Sequence, residues 1–103
     1  MDTDDLTEMA WDVIARAAHV SDTLKAELGA MARQFQSEDE WLRGVHAHLA
    51  TITEDPDGYA DDWDLENEEG VSAATVGSCA TELSHRVIEI LAMPLNQRGA
   101  RAW

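Results

Sequence analysis

The sequence is short of base. Its 103 residues carry seven Lys+Arg against 21 Asp+Glu, a formal net charge of -14 at pH 7. A chain this acidic lacks the cations that hold phosphate backbones, so direct binding of nucleic acid and docking on anionic lipid membranes are both excluded as expectations. Cysteine is almost absent. Cys79 is the single thiol, so no intrachain disulfide can form and a reducing, cytoplasmic setting is expected. No apolar run approaches the roughly 18 residues that suggest a membrane span. The opening Met1-Asp2-Thr3-Asp4-Asp5 is the opposite of a secretory signal's basic start, and a soluble, unprocessed protein is expected. Also missing are a glycine-rich phosphate loop, a nucleophile elbow and a His-Glu zinc motif. With Cys79 on the apolar side of its segment and no base marked beside it, no catalytic residues are assigned. The protein is read as not an enzyme, with no cofactor.

What is present is helical periodicity in a chain that is 45% hydrophobic, the composition of a globular domain. Leu6, Met9, Ala10, Val13, Ala17 and Val20 share one face opposite Asp5, Glu8, Asp12, Arg16 and His19, which predicts a helix over about 4–19, with Thr3, Asp4 and Asp5 at its N-terminal end. Ser21 precedes a second, 22–35, striped by Leu24, Leu28, Met31 and Phe35. Ser37 and Glu40 have capping-box spacing ahead of Trp41, Leu42, Val45, Leu49 and Ile52, predicting a third over 38–53. Val76, Ala80, Leu83, Val87, Ile90 and Leu91 mark a fourth over 72–93, stopped by Pro94. Pro56 and Gly58 break the pattern, and residues 95–103, with Arg98 and Arg101, read as a flexible tail. The expected fold is an all-α, single-domain bundle (1–94) of about four helices, with an acidic loop at 54–69 between the third and fourth.

That loop concentrates the charge. Residues 54–69 hold nine acids and no base, whereas residues 70–103 hold two acids and three bases. Elsewhere the acids suit helix ends; here they only repel one another. Read as an extended strand, Asp62, Asp64, Glu66 and Glu68 would point one way at about 6.5–7 Å intervals, a phosphate-like row, with Trp63 and Leu65 pointing the other. Tyr59 and Trp63 add aromatic area of the kind that anchors interfaces. The expected partner-binding residues are therefore Asp55, Asp57, Tyr59, Asp61, Asp62, Trp63, Asp64, Glu66, Glu68 and Glu69.

Metal binding is a minor alternative. Thr53–Asp64 partly fits a calcium loop, with Asp55, Asp57, Asp61 and Asp64 at ligand positions and Gly58 at the turn, but Thr53 replaces the first aspartate and Asp64 the bidentate glutamate. His46 and His48 are two residues apart, so a helix turns them away from each other. Glu82 and His85 form one Glu-x-x-His, where a di-metal bundle needs two, and Glu82 can instead pair with Arg86.

Ser37–Gly58, especially Leu49, Thr53-Glu54, Pro56 and Gly58, resembles the helix and following turn of DNase-colicin immunity proteins, small acidic helical inhibitors of nucleases. The paired tyrosines that follow the glycine in that family are absent here. The resemblance implies an acidic helical inhibitor of a nucleic-acid enzyme. Charge and resemblance lead to one expectation: a protein-binding module that occupies the nucleic-acid-binding surface of a basic partner, as DNA-mimic, anti-restriction, anti-CRISPR and nuclease-immunity proteins do. The rival is a structural or regulatory subunit that forms a homodimer through an apolar face of Trp11 and Trp41.

Overall fold

Each amphipathic stripe closes on its neighbours in a computed structural model that describes residues 1–99. Arg101 and the rest of 100–103 lie outside the described residues. The helices are α1 (Glu8–Ala18), α2 (Asp22–Met31), α3 (Glu38–Glu54), α4 (Pro56–Asp62), α5 (Leu65–Glu69) and α6 (Ala73–Leu91). The two longest, α3 and α6, form the central pair, with α1 and α2 packed beside them. Val45, Leu49 and Ile52 of α3 and Ala80, Leu83, Val87 and Ile90 of α6 share one core with Val13, Ile14, Leu24 and Leu28. Burying each Val, Leu or Ile side chain contributes about 1.5–3 kcal/mol. Trp41, fully buried, donates its indole N–H to the Leu28 carbonyl at 3.0 Å, tying α3 to α2. An apolar face shared by Trp11 and Trp41 is therefore not on the surface; Trp41 is inside the core. Among the described residues no helix is long and apolar enough to cross a membrane.

The all-α class holds, but the number of helices does not. Among the described residues there are six α-helices rather than about four, because the acidic stretch is itself helical. Pro56, expected to break structure, begins α4, where its missing N–H and fixed φ suit the first turn. Asp55 caps that helix, accepting the Gly58 N–H at 3.0 Å. A Cβ at Gly58 would stand 2.3 Å from Asp55 Oδ2, so any larger residue there would displace the capping carboxylate. Asp64 (φ 50°) turns the chain into α5, and Gly70 (φ 68°) ends it. Ala60, Leu65, Val71 and Val76 form a second, smaller core beneath the two short helices. Leu65 is thus buried while Trp63 is exposed, so the extended row with both on one face is replaced.

The edges of the other helices shift too. A 3-10 turn at Thr3–Asp5 precedes α1, and another, Ala32–Gln34, follows α2. The acids near residue 4 do not cap α1. Its first N–H groups are taken by distant parts of the chain: Thr7 N–H donates to Glu38 Oε1 at 2.6 Å, Glu8 N–H to the Gly99 carbonyl at 2.9 Å and Met9 N–H to the Arg98 carbonyl at 3.0 Å. Residues 95–99 are accordingly not a loose tail. Arg98 is 2% exposed, donating through Nη1 to Glu38 (2.9 Å) and Asp39 (2.6 Å) and through Nε to the Met93 carbonyl (3.1 Å).

Gly77 lets α6 approach α4. A Cβ there would lie 3.1 Å from Pro56 Cβ, so a branched side chain would push the helices apart. Gly77→Val is expected to cost about 1–3 kcal/mol by overpacking. Urea denaturation checks the cost, and hydrogen exchange should show protection lost first in α4.

Candidate functional site

The acidic segment is a corner of two short helices standing on the bundle, and its carboxylates divide by what they touch. Three are engaged inside the fold. Asp55 caps α4; Asp64 accepts from Asn67 Nδ2 at 2.8 Å; Glu69 reaches the start of α2, accepting the Asp22 N–H at 2.7 Å, the Thr23 N–H at 3.2 Å and the Thr23 hydroxyl. Burial alone would raise the Glu69 pKa, but these donors outweigh it and hold the carboxyl below its ordinary value.

A lowered folded-state pKa means a contribution present above the unfolded value and lost as pH falls through the folded one. Glu69→Gln should therefore cost about 1 kcal/mol near neutrality. The difference from wild type should shrink as pH falls below the ordinary glutamate value of about 4.3 and vanish below the lowered one. Chemical denaturation of both proteins across that range measures it.

Asp57, Asp61, Asp62, Glu66 and Glu68 are exposed, and among the described residues their side chains have no hydrogen bond or ion pair. Asp57 and Asp61 lie one turn apart on α4, and Asp62 is at its end. Glu66 and Glu68 extend the same charge along α5. Trp63 stands at the junction, 48% exposed. The cations that do pair are elsewhere: Arg16 and Arg86 near Asp12, Arg98 with Glu38 and Asp39.

Tyr59 turns inward. Its hydroxyl donates to Glu27 Oε1, which also meets His48 Nε2 at 3.3 Å, and the His48 and Tyr59 rings meet edge-on at 6.2 Å. Burial, then the hydrogen bond and charge of Glu27, push the Tyr59 hydroxyl far above its ordinary pKa. For Glu27, burial acts upward but the His48 and Tyr59 bonds prevail and lower it. Sequence reading did not find Glu27 and weighed His48 only as a metal ligand beside His46, since each acquires its role only when α2, α3 and α4 converge.

The calcium-like stretch cannot fold around an ion in this form. Its Asp57 and Asp61 project from a helix rather than into a loop, while Asp55 and Asp64 hold local donors. Among the described residues no group of three His, Cys, Asp or Glu could hold a metal ion. Glu82 does not pair with Arg86, which turns to Glu89 (3.4 Å) and Asp12 (4.0 Å). Burial, with the Glu82 charge second, pushes the Cys79 thiol up, keeping it protonated at neutral pH.

No family model, curated protein or solved structure matches this chain.

Proposed function

We propose that the chain is a non-enzymatic, intracellular inhibitor whose α4–α5 corner occupies the nucleic-acid-binding surface of a basic protein, such as a nuclease. One observation carries this reading: the acids that serve the fold are distinct from five exposed ones on the two short helices that serve nothing within it, and an exposed tryptophan stands at the junction of those helices. Uncompensated like charge raises the energy of the folded state, so its local concentration calls for a partner that neutralises it. A groove of lysines and arginines would do so, with charge steering the encounter and Trp63 slowing release.

The test is capture on the immobilised chain from nuclease-treated lysate. Retained proteins should be basic, should elute steeply with added salt, and should be released by duplex DNA. Retention that persists in high salt and in excess DNA would contradict the reading. Trp63→Ala should raise the dissociation rate about tenfold, the usual size of an aromatic anchor's contribution, while leaving the association rate near wild type. Surface plasmon resonance on the captured protein separates the two.

A further inference from the structure

The turn of helix ahead of α6 is held differently from the rest of the bundle. α5 is five residues long, and Asp64, the residue before it, gives its first N–H groups no side-chain cap. A single turn does not hold itself in water, so contacts with the bundle decide whether α5 stays formed. Two side chains carry those contacts. Leu65 is fully buried against Ala60, Val71 and Val76, a cluster distinct from the main core. Glu69 accepts the Asp22 N–H, the Thr23 N–H and the Thr23 hydroxyl at the start of α2. Between them, Glu66, Asn67 and Glu68 are exposed.

Both flanks of α5 are left-handed backbone, Asp64 at φ 50° and Gly70 at φ 68°, and Asp64 is the only non-glycine residue of that kind among the described residues. Hinges sit at such element ends, where one or two residues absorb the change in φ and ψ. Closure also has costs. Asp64 is held in a conformation that side chains disfavour, and Glu66 and Glu68 are kept near Asp57, Asp61 and Asp62. We propose that α5 is a hinged strap: it opens as a unit on Asp64 and Gly70 while α1, α2, α3 and α6 stay folded, with Glu69 as its catch on the start of α2. The main core of Val45, Leu49, Ala80 and Leu83 takes no part in the motion. Opening carries Glu66 and Glu68 away from α4, so the strap sets how much of the acidic corner is presented at once. That consequence rests on the inhibitor reading; the opening itself does not.

Native-state hydrogen exchange of the free chain, read by NMR near neutral pH, tests the opening without any partner. The Glu68, Gly70 and Val71 N–H groups donate to the Asp64, Glu66 and Leu65 carbonyls, bonds that exist only while α5 is closed. All three should share one opening constant and exchange faster than Leu49 and Val87 in the core. Low urea should change them little, because a local opening exposes little surface. Glu69→Gln should speed their exchange about fivefold by weakening the catch. Gly70→Ala should speed Glu68 and Val71 in the same way. A Cβ there meets nothing within 4 Å, so its cost is the left-handed conformation alone. Exchange of the three amides at the core rate, with the urea dependence of the core, would overturn the proposal. So would a Glu69→Gln chain whose three amides exchange as in the wild type.

Discussion

Replacing Arg98 with methionine is expected to remove roughly 3–5 kcal/mol of folding stability, the usual cost of stranding a buried charge. Glu38 is 6% exposed, and its carboxylate is held by Arg98 on one side and by Thr7 on the other. Without the guanidinium, Glu38 must either remain charged in the interior or take up a proton. Asp39 contributes less to the loss, being about half exposed on its side chain. Domains of this size have about 5–15 kcal/mol in total, so the variant should unfold at markedly lower urea. The partner substitution separates lost charge pairing from lost packing. Glu38→Gln keeps an acceptor for the Thr7 N–H and removes the charge, so the Arg98→Met, Glu38→Gln double variant should be more stable than Arg98→Met alone. A double variant no better than the single would assign the loss to packing of the arginine stem.

Reversing Asp61, Asp62 and Glu66 to lysine is expected to weaken partner capture on the order of a hundredfold or more, because like charges would then face each other across the contact. The fold should survive. These side chains are exposed and, among the described residues, unpaired, and surface changes of that kind are usually worth within about 0.5 kcal/mol. Thermal melting should stay close to wild type, since the reversal also relieves repulsion within the corner. The contrast with Arg98→Met is diagnostic: one variant loses stability with its α4–α5 surface unaltered, the other loses capture with stability intact. Asp64 and Glu69 are poor choices for reversal, because Asn67 and the start of α2 depend on them.

The stripes of Val13 and Ala17, Leu24 and Leu28, Val45 and Leu49, and Leu83 and Val87 were legible because period alone assigns them to a core face. Ser37 marked the start of α3 correctly, accepting the Glu40 N–H at 3.2 Å. The acidic stretch was misread for a physical reason: proline and glycine punctuate both loops and helix starts, and Asp55 ahead of Pro56 is a cap as readily as a turn. Alternation in Asp62–Glu68 suggested a strand, but the buried pair Ala60 and Leu65 only finds cover against Val71 and Val76 when the chain is coiled. Long-range roles were beyond reach. Nothing near Arg98 in sequence indicates that its side chain meets Glu38, or that its carbonyl accepts from α1. At the candidate site, the charge was visible in the sequence, whereas the division into acids that hold the fold and acids left free required the tertiary partners of Asp55, Asp64 and Glu69.

Competition on a captured partner tests the central claim most directly. A fluorescent DNA duplex bound to that protein is titrated with the chain, and anisotropy is followed. Mutually exclusive binding should return the duplex to its free value as the chain saturates the partner, with the Asp61, Asp62 and Glu66 lysine variant leaving it bound. A ternary complex, with anisotropy rising as the chain adds to the duplex-bound protein, would contradict it.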